Sequence, residues 1–193
     1  MDEAQSLPER LPLHAWLREG VRAGFLLRPR VVSEQPTPIQ IALLVLILSV
    51  IEIGLARLEI AGPAQFDVRS WLAPWWSTGA LLLLAWWGLS AAPAHARPAG
   101  LAPWLALWLA ALLPANLASQ LVGIAQSHEA LPLLLSTSAW AAWAVYLALW
   151  AWTVAAVLRL FDHFGVPRAR MGVLALGMVA LFGLTAWQFP DRP

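Results

Sequence analysis

The sequence has no cysteine and no lysine, and charge of either sign is scarce. Without cysteine, this chain can form no disulfide, no thiolate metal site and no cysteine nucleophile. The absence of lysine, set beside abundant Ala, Leu, Trp and Pro, is the composition expected of a GC-rich bacterial genome. There is no Gly-rich phosphate loop, no HExxH and no GxSxG. The histidines, His14, His95, His128 and His163, fall in separate helical and loop regions at different predicted depths, so no haem or metal set is expected from them. No cofactor is expected, and no basic patch marks a nucleic-acid partner.

What remains is apolar. Of 193 residues, 60% are hydrophobic and 12% charged, and the mean hydropathy is +0.67. That is too little polar surface to clothe a water-soluble globule, so the expected solvent is lipid. A tract of about 20 apolar residues is what a helix needs to cross roughly 30 Å of hydrocarbon, and such tracts recur along the chain. They predict an all-α integral membrane protein: a bundle of five transmembrane helices over about 39–56, 77–94, 101–125, 132–160 and 171–189, preceded by a short amphipathic interfacial helix. Residues 1–37 form the N-terminal segment and 38–193 the membrane domain. The first span begins too far from Met1 for a conventional cleaved signal and should act as an uncleaved anchor.

The N-terminal helix is read from Leu13, Trp16, Leu17, Val21 and Phe25 on one side and His14, Arg18 and Arg22 on another. Trp16, Arg18 and Arg22 are therefore expected at the interface with anionic headgroups. Trp71, Trp75 and Trp76 cluster before the second span, where indoles form an interfacial belt. Pro114 lies inside the third span and should kink it. Arginine counting gives the orientation: nine arginines fall on the side of an N-terminus placed in the cytoplasm and three on the other. The bacterial inner membrane, with a cytoplasmic N-terminus and a periplasmic C-terminus, is the expected location.

Two groups of residues stand out. Ala141, Ala144, Ala148, Ala151 and Ala155 draw a small-residue stripe along the fourth span, and Gly172 and Gly183 lie on a common face of the fifth. Small residues let membrane helices approach closely, so this stripe is expected to pack on another helix, the fifth span being the natural choice. Glu52, Asn116 and Gln120 fall in the same half of the membrane. An ionisable side chain within a span is a functional candidate because burying it unpaired costs several kcal/mol. Glu52 is expected to be buried, with Asn116 and Gln120 as its donors.

The segments Leu17-Arg18-Glu19-Gly20, Ala23-Gly24-Phe25-Leu26-Leu27-Arg28-Pro29 and Phe189-Pro190-Asp191 resemble the N-terminal membrane region of certain bacterial legumain-like cysteine peptidases. The resemblance implies an exported peptidase domain after the last span. This chain has no cysteine and is expected to carry no such domain, so no catalytic residue carries over. In layout alone, five spans after a cytosolic segment, the chain is also similar to the Yip-type trafficking family. The expected role is a non-catalytic membrane anchor or assembly subunit, with the bilayer and a membrane or periplasmic protein, or a second copy, as partners. The alternative is a small transporter or lipid-handling protein with an outward-facing polar pocket at Glu52.

Overall fold

A computed structural model describes residues 11–31, 34–60, 75–92, 100–128 and 139–188, with the isolated positions 68 and 72. Every regular element among them is helical: α1 (Leu13–Gly24), α2 (Pro38–Glu59), α3 (Trp75–Leu89), α4 (Leu101–Ala111), α5 (Leu113–Ser127), α6 (Ala139–His163) and α7 (Arg168–Gln188). Among the described residues, three stretches are long and apolar enough to cross a membrane: Pro38–Glu59, the joined pair Leu101–Ser127, and Trp143–His163.

Local chemistry fixes the helix ends. Thr37 caps α2: its hydroxyl accepts from Gln40 N at 3.2 Å, while Gln40 Oε1 accepts from Thr37 N at 2.9 Å. Pro38 fills the first turn, where its missing N–H leaves no bond unmade. Between α4 and α5 the backbone stays right-handed at Leu112, and Pro114 then removes one rung of the ladder. The helix is interrupted at Leu112, two residues before the proline where the kink is expected.

Helix direction follows from residue pairs. Along α2 and α5, Glu52 meets Asn116 and Glu59 lies over Gly123, so the two helices run parallel. α3 and α7 run antiparallel: Leu174 fills the space beside Gly88, and Leu84 fills that beside Gly177. Tyr146, near the start of α6, bonds Gln126 near the end of α5, so these also run antiparallel. At the far end of α6, His163 bonds the carbonyl of Val31 just ahead of α2, and Arg170 at the start of α7 bonds Ser90 at the end of α3. One end of the bundle thus collects the start of α2, the end of α3, the end of α6 and the start of α7.

The buried core is concentrated towards that end. Trp104 stacks on Phe161 with centroids 5.0 Å apart and on Trp108 at 5.6 Å, and Leu160, Phe164, Leu107 and Leu44 close around them. Trp16 of α1 belongs to the same cluster and is fully buried. This corrects the interfacial assignment of Trp16. α1 lies against α4, its most extensive neighbour, and buries Ala15, Trp16, Glu19, Gly20, Ala23 and Gly24, while Leu13, Leu17 and Val21 are half-buried and Phe25 is exposed. The reason is steric. A side chain on Gly20 would meet Leu107 O at 2.8 Å, and one on Gly24 would meet Pro114 at 3.0 Å, so only glycine allows so close an approach. Arg18 is exposed, as expected, and Arg22 is half-buried.

The alanine stripe also needs correction. Ala144, Ala148 and Ala151 are exposed, and Ala141 and Ala155 are half-buried. α6 contacts α5, α7, α1 and α4, but the side it buries carries Ala156, Val157, Leu160, Phe161 and Phe164. At about 100° per residue that face lies opposite the stripe. Open space surrounds Gly172 and Gly183 as well. The large side chains win because they have the area to fill the gap around Trp104, whereas alanines are equally compatible with lipid.

Candidate functional site

The seam between α2 and α5 carries the sequence-predicted polar residues. Glu52 and Glu59 are seven residues apart, two helical turns, and so lie on one side of α2. Asn116, Gln120 and Gly123 occupy the facing side of α5 at spacings of four and three. Asn116 Nδ2 donates to Glu52 Oε1 at 3.0 Å, so the structure brings together two of the three predicted residues. Gln120 sits one turn further along, with its Oε1 buried and without a hydrogen-bond partner among the described residues. Glu52 itself is exposed on the helix surface, contrary to the expectation of burial.

Beyond Glu52 the seam continues to the helix ends. The Glu59 carboxylate approaches Gly123 so closely that a Cβ there would be 2.7 Å from Oε1. The His128 ring bonds the carbonyl of Leu58 at 3.0 Å, and Tyr146 OH donates to Gln126 Oε1 at 2.9 Å. Between three helices this region therefore holds two carboxylates, three amides, a phenol and an imidazole. Of the predicted belt, Trp75 and Trp76 are exposed in the first turn of α3, and Trp71 lies outside the described residues.

Among the described residues, the carboxylate that the fold does bury is Glu19, at 4% exposure. Arg18 Nε donates to its Oε1 at 3.2 Å, Arg22 Nε lies 3.3 Å from its Oε2, and the backbone N–H of Arg30 donates to Oε2 at 2.9 Å. A buried charge persists only when paired and hydrogen-bonded in this way. Glu19 thereby ties α1 to the strand of chain that returns towards α2. The return is a Schellman turn in which Leu27 N donates to Arg22 O and Leu26 N to Ala23 O, with Leu26 in the left-handed region at φ 62°.

Three side chains fasten this turn to the bundle. Trp152 Nε1 donates to Gly24 O at 2.7 Å, Arg159 Nη1 to Leu26 O at 3.3 Å, and His163 Nε2 lies 3.2 Å from Val31 O. Gln40 Nε2 adds a bond of 2.7 Å to Leu11 O at the entry to α1. Sequence reading missed this joint. Its legible signal is Gly20-x-x-x-Gly24, a small-residue spacing on an otherwise amphipathic helix, matched by Ala106 and Ala110 on α4.

The polar chemistry thus divides between an open seam at Glu52 and a closed joint at Glu19. Comparison of the chain with protein-family models, with curated proteins and with solved structures gives no match.

Proposed function

We propose that the chain is a non-catalytic, membrane-embedded anchor or assembly subunit that positions a partner or an exported domain at the membrane. The observation that carries this reading is the joint around α1. Glu19, Trp152, Arg159, His163 and Gln40 each bond a backbone group between Leu11 and Val31. Such a joint fixes α1 against the bundle, which is what an anchor must do. The exposed side of α6, with Trp140 and Trp143 at 85% and 61% exposure beside the alanine stripe, is the surface offered to lipid, to a partner helix or to a second copy.

Five spans are supported by helix direction. Because α2 and α5 run parallel, the chain between them has to cross back, and α3 is the segment there to do it. α6 and α7 then add a return and a final crossing. The arginine asymmetry favours a cytoplasmic α1 end, and the composition favours a bacterial inner membrane. If the resemblance to legumain-like peptidases holds, an exported domain follows the last span, which a periplasmic C-terminus accommodates.

A second reading, a small transporter or lipid-handling protein, is favoured by the Asn116–Glu52 hydrogen bond and the unpartnered Gln120 Oε1 beside it. Native mass spectrometry of the protein in mild detergent separates the two. A stoichiometric partner or a discrete homo-oligomer is expected. A monomer that carries out Glu52-dependent solute or lipid movement in proteoliposomes would overturn the anchor reading. For topology, C-terminal alkaline phosphatase fusions should be active and C-terminal fluorescent-protein fusions dark; the reverse pattern defeats the five-span model.

A further inference from the structure

We propose that the bundle binds one anionic phospholipid, its phosphate held by Arg28 and Arg159, in a cavity between the α1 turn and the α6–α7 corner. This cavity has a volume of about 420 Å³, within the range of ligand sites. Leu27, Arg28 and Pro29 form one wall, Leu158, Arg159 and Asp162 the other, and Met171 of α7 closes a side.

The lining is divided in the way a lipid is. Leu27, Leu158 and Met171 offer an apolar flank for the upper part of an acyl chain, and exposed Phe25 extends that flank along the α1 turn. The guanidiniums of Arg28 and Arg159 lie at the charged end of the bundle, where a headgroup resides. Neither is used up. Among the described residues Arg28 makes a single long ion pair, 3.8 Å to Asp162, with the two side chains 81% and 61% exposed. Arg159 commits one nitrogen to Leu26 O and keeps the rest of its five donors. A weak, hydrated pair of this kind yields readily to a phosphate, which guanidinium engages with two parallel bonds. Asp162 is the one acidic group lining the cavity, and it sets an upper limit on affinity by competing for Arg28.

Basic pockets between membrane helices are a recurrent way of holding anionic headgroups. Here the consequence is structural: the phosphate would bridge the α1 turn to α6 where Arg159 already touches Leu26. The inference rests on the bundle lying in a membrane and is independent of the anchor role.

The test uses the full chain in detergent, with lipid binding measured by native mass spectrometry and thermal unfolding. Phosphatidylglycerol is expected to bind and raise the unfolding temperature, with phosphatidylcholine and inorganic phosphate having little effect. Each guanidinium near the surface is worth about a fivefold change, so Arg28→Gln with Arg159→Gln should weaken phosphatidylglycerol binding about 25-fold. Arg57→Gln, in the last turn of α2 at the opposite end of the bundle, should leave it unchanged. Should the double variant fail to fold, Asp162→Asn still decides, because it is expected to tighten binding severalfold. Equal binding of both lipids overturns the proposal, as does an Asp162→Asn variant with unchanged or weakened affinity. Inorganic phosphate binding as tightly as the lipid would identify a free-phosphate site and defeat the lipid assignment.

Discussion

The indole nitrogen of Trp152 donates a 2.7 Å hydrogen bond to the carbonyl of Gly24, joining the middle of α6 to the last residue of α1 across 128 positions of sequence. Gly24 is buried, so its carbonyl has little access to another donor. Replacing Trp152 by Phe keeps most of the ring and removes the donor, and an unmet buried acceptor costs about 1–3 kcal/mol. Thermal unfolding in detergent should show the loss, and hydrogen exchange should rise in α1 before it rises in α7. Uniform exchange across both helices would mean that the bond does not hold α1 in place.

The close approach of α1 to α4 makes Gly20 intolerant of any side chain. Gly20→Ala sets a methyl against the Ala110 side chain and Leu107 O, neither with room to withdraw, and should destabilise by about 1–3 kcal/mol. Adding Ala110→Gly removes one of the two obstructions and should recover part of that. A double-mutant cycle with no coupling would show that the two residues are not in contact.

Glu52 and Asn116 give a milder expectation. Interhelical hydrogen bonds in membrane bundles average about 0.6 kcal/mol, so Asn116→Leu should change stability by about that amount. Glu52→Gln retains an acceptor oxygen and should be close to silent in unfolding experiments. A large loss of stability in Glu52→Gln would show that the seam needs the charge itself.

Ala148 and Ala156 make opposite predictions on one helix. Ala148 is exposed, and Ala148→Leu should shift the stability of the isolated chain by less than about 0.5 kcal/mol. Ala156, 2% exposed, is already closely surrounded, and Ala156→Leu, which adds three carbons, should cost about 1–3 kcal/mol. A destabilising Ala148→Leu would place a partner helix, from this chain or a second copy, on the stripe.

Composition alone determined the lipid-compatible, all-helical character, because hydrogen-bonding a backbone without water leaves few options. The apolar runs overlap each long helix among the described residues, with the expected start of the fourth span and end of the fifth lying outside them, and the matching depths of Glu52 and Asn116 anticipated their hydrogen bond. What remained undecided was which surface each helix would bury. An amphipathic moment shows that α1 has a face to hide from water, but a lipid interface and a protein groove satisfy that face equally. The groove prevails here because Gly20 and Gly24 let the backbone of α1 reach α4, and Glu19 gains the Arg30 amide only in the folded turn. The alanine stripe of α6 was equally ambiguous. In lipid there is no hydrophobic drive to bury small residues, so the choice of face fell to the tertiary fit of Leu160, Phe161 and Phe164 around Trp104, a matter of shape in three dimensions that helical spacing does not encode.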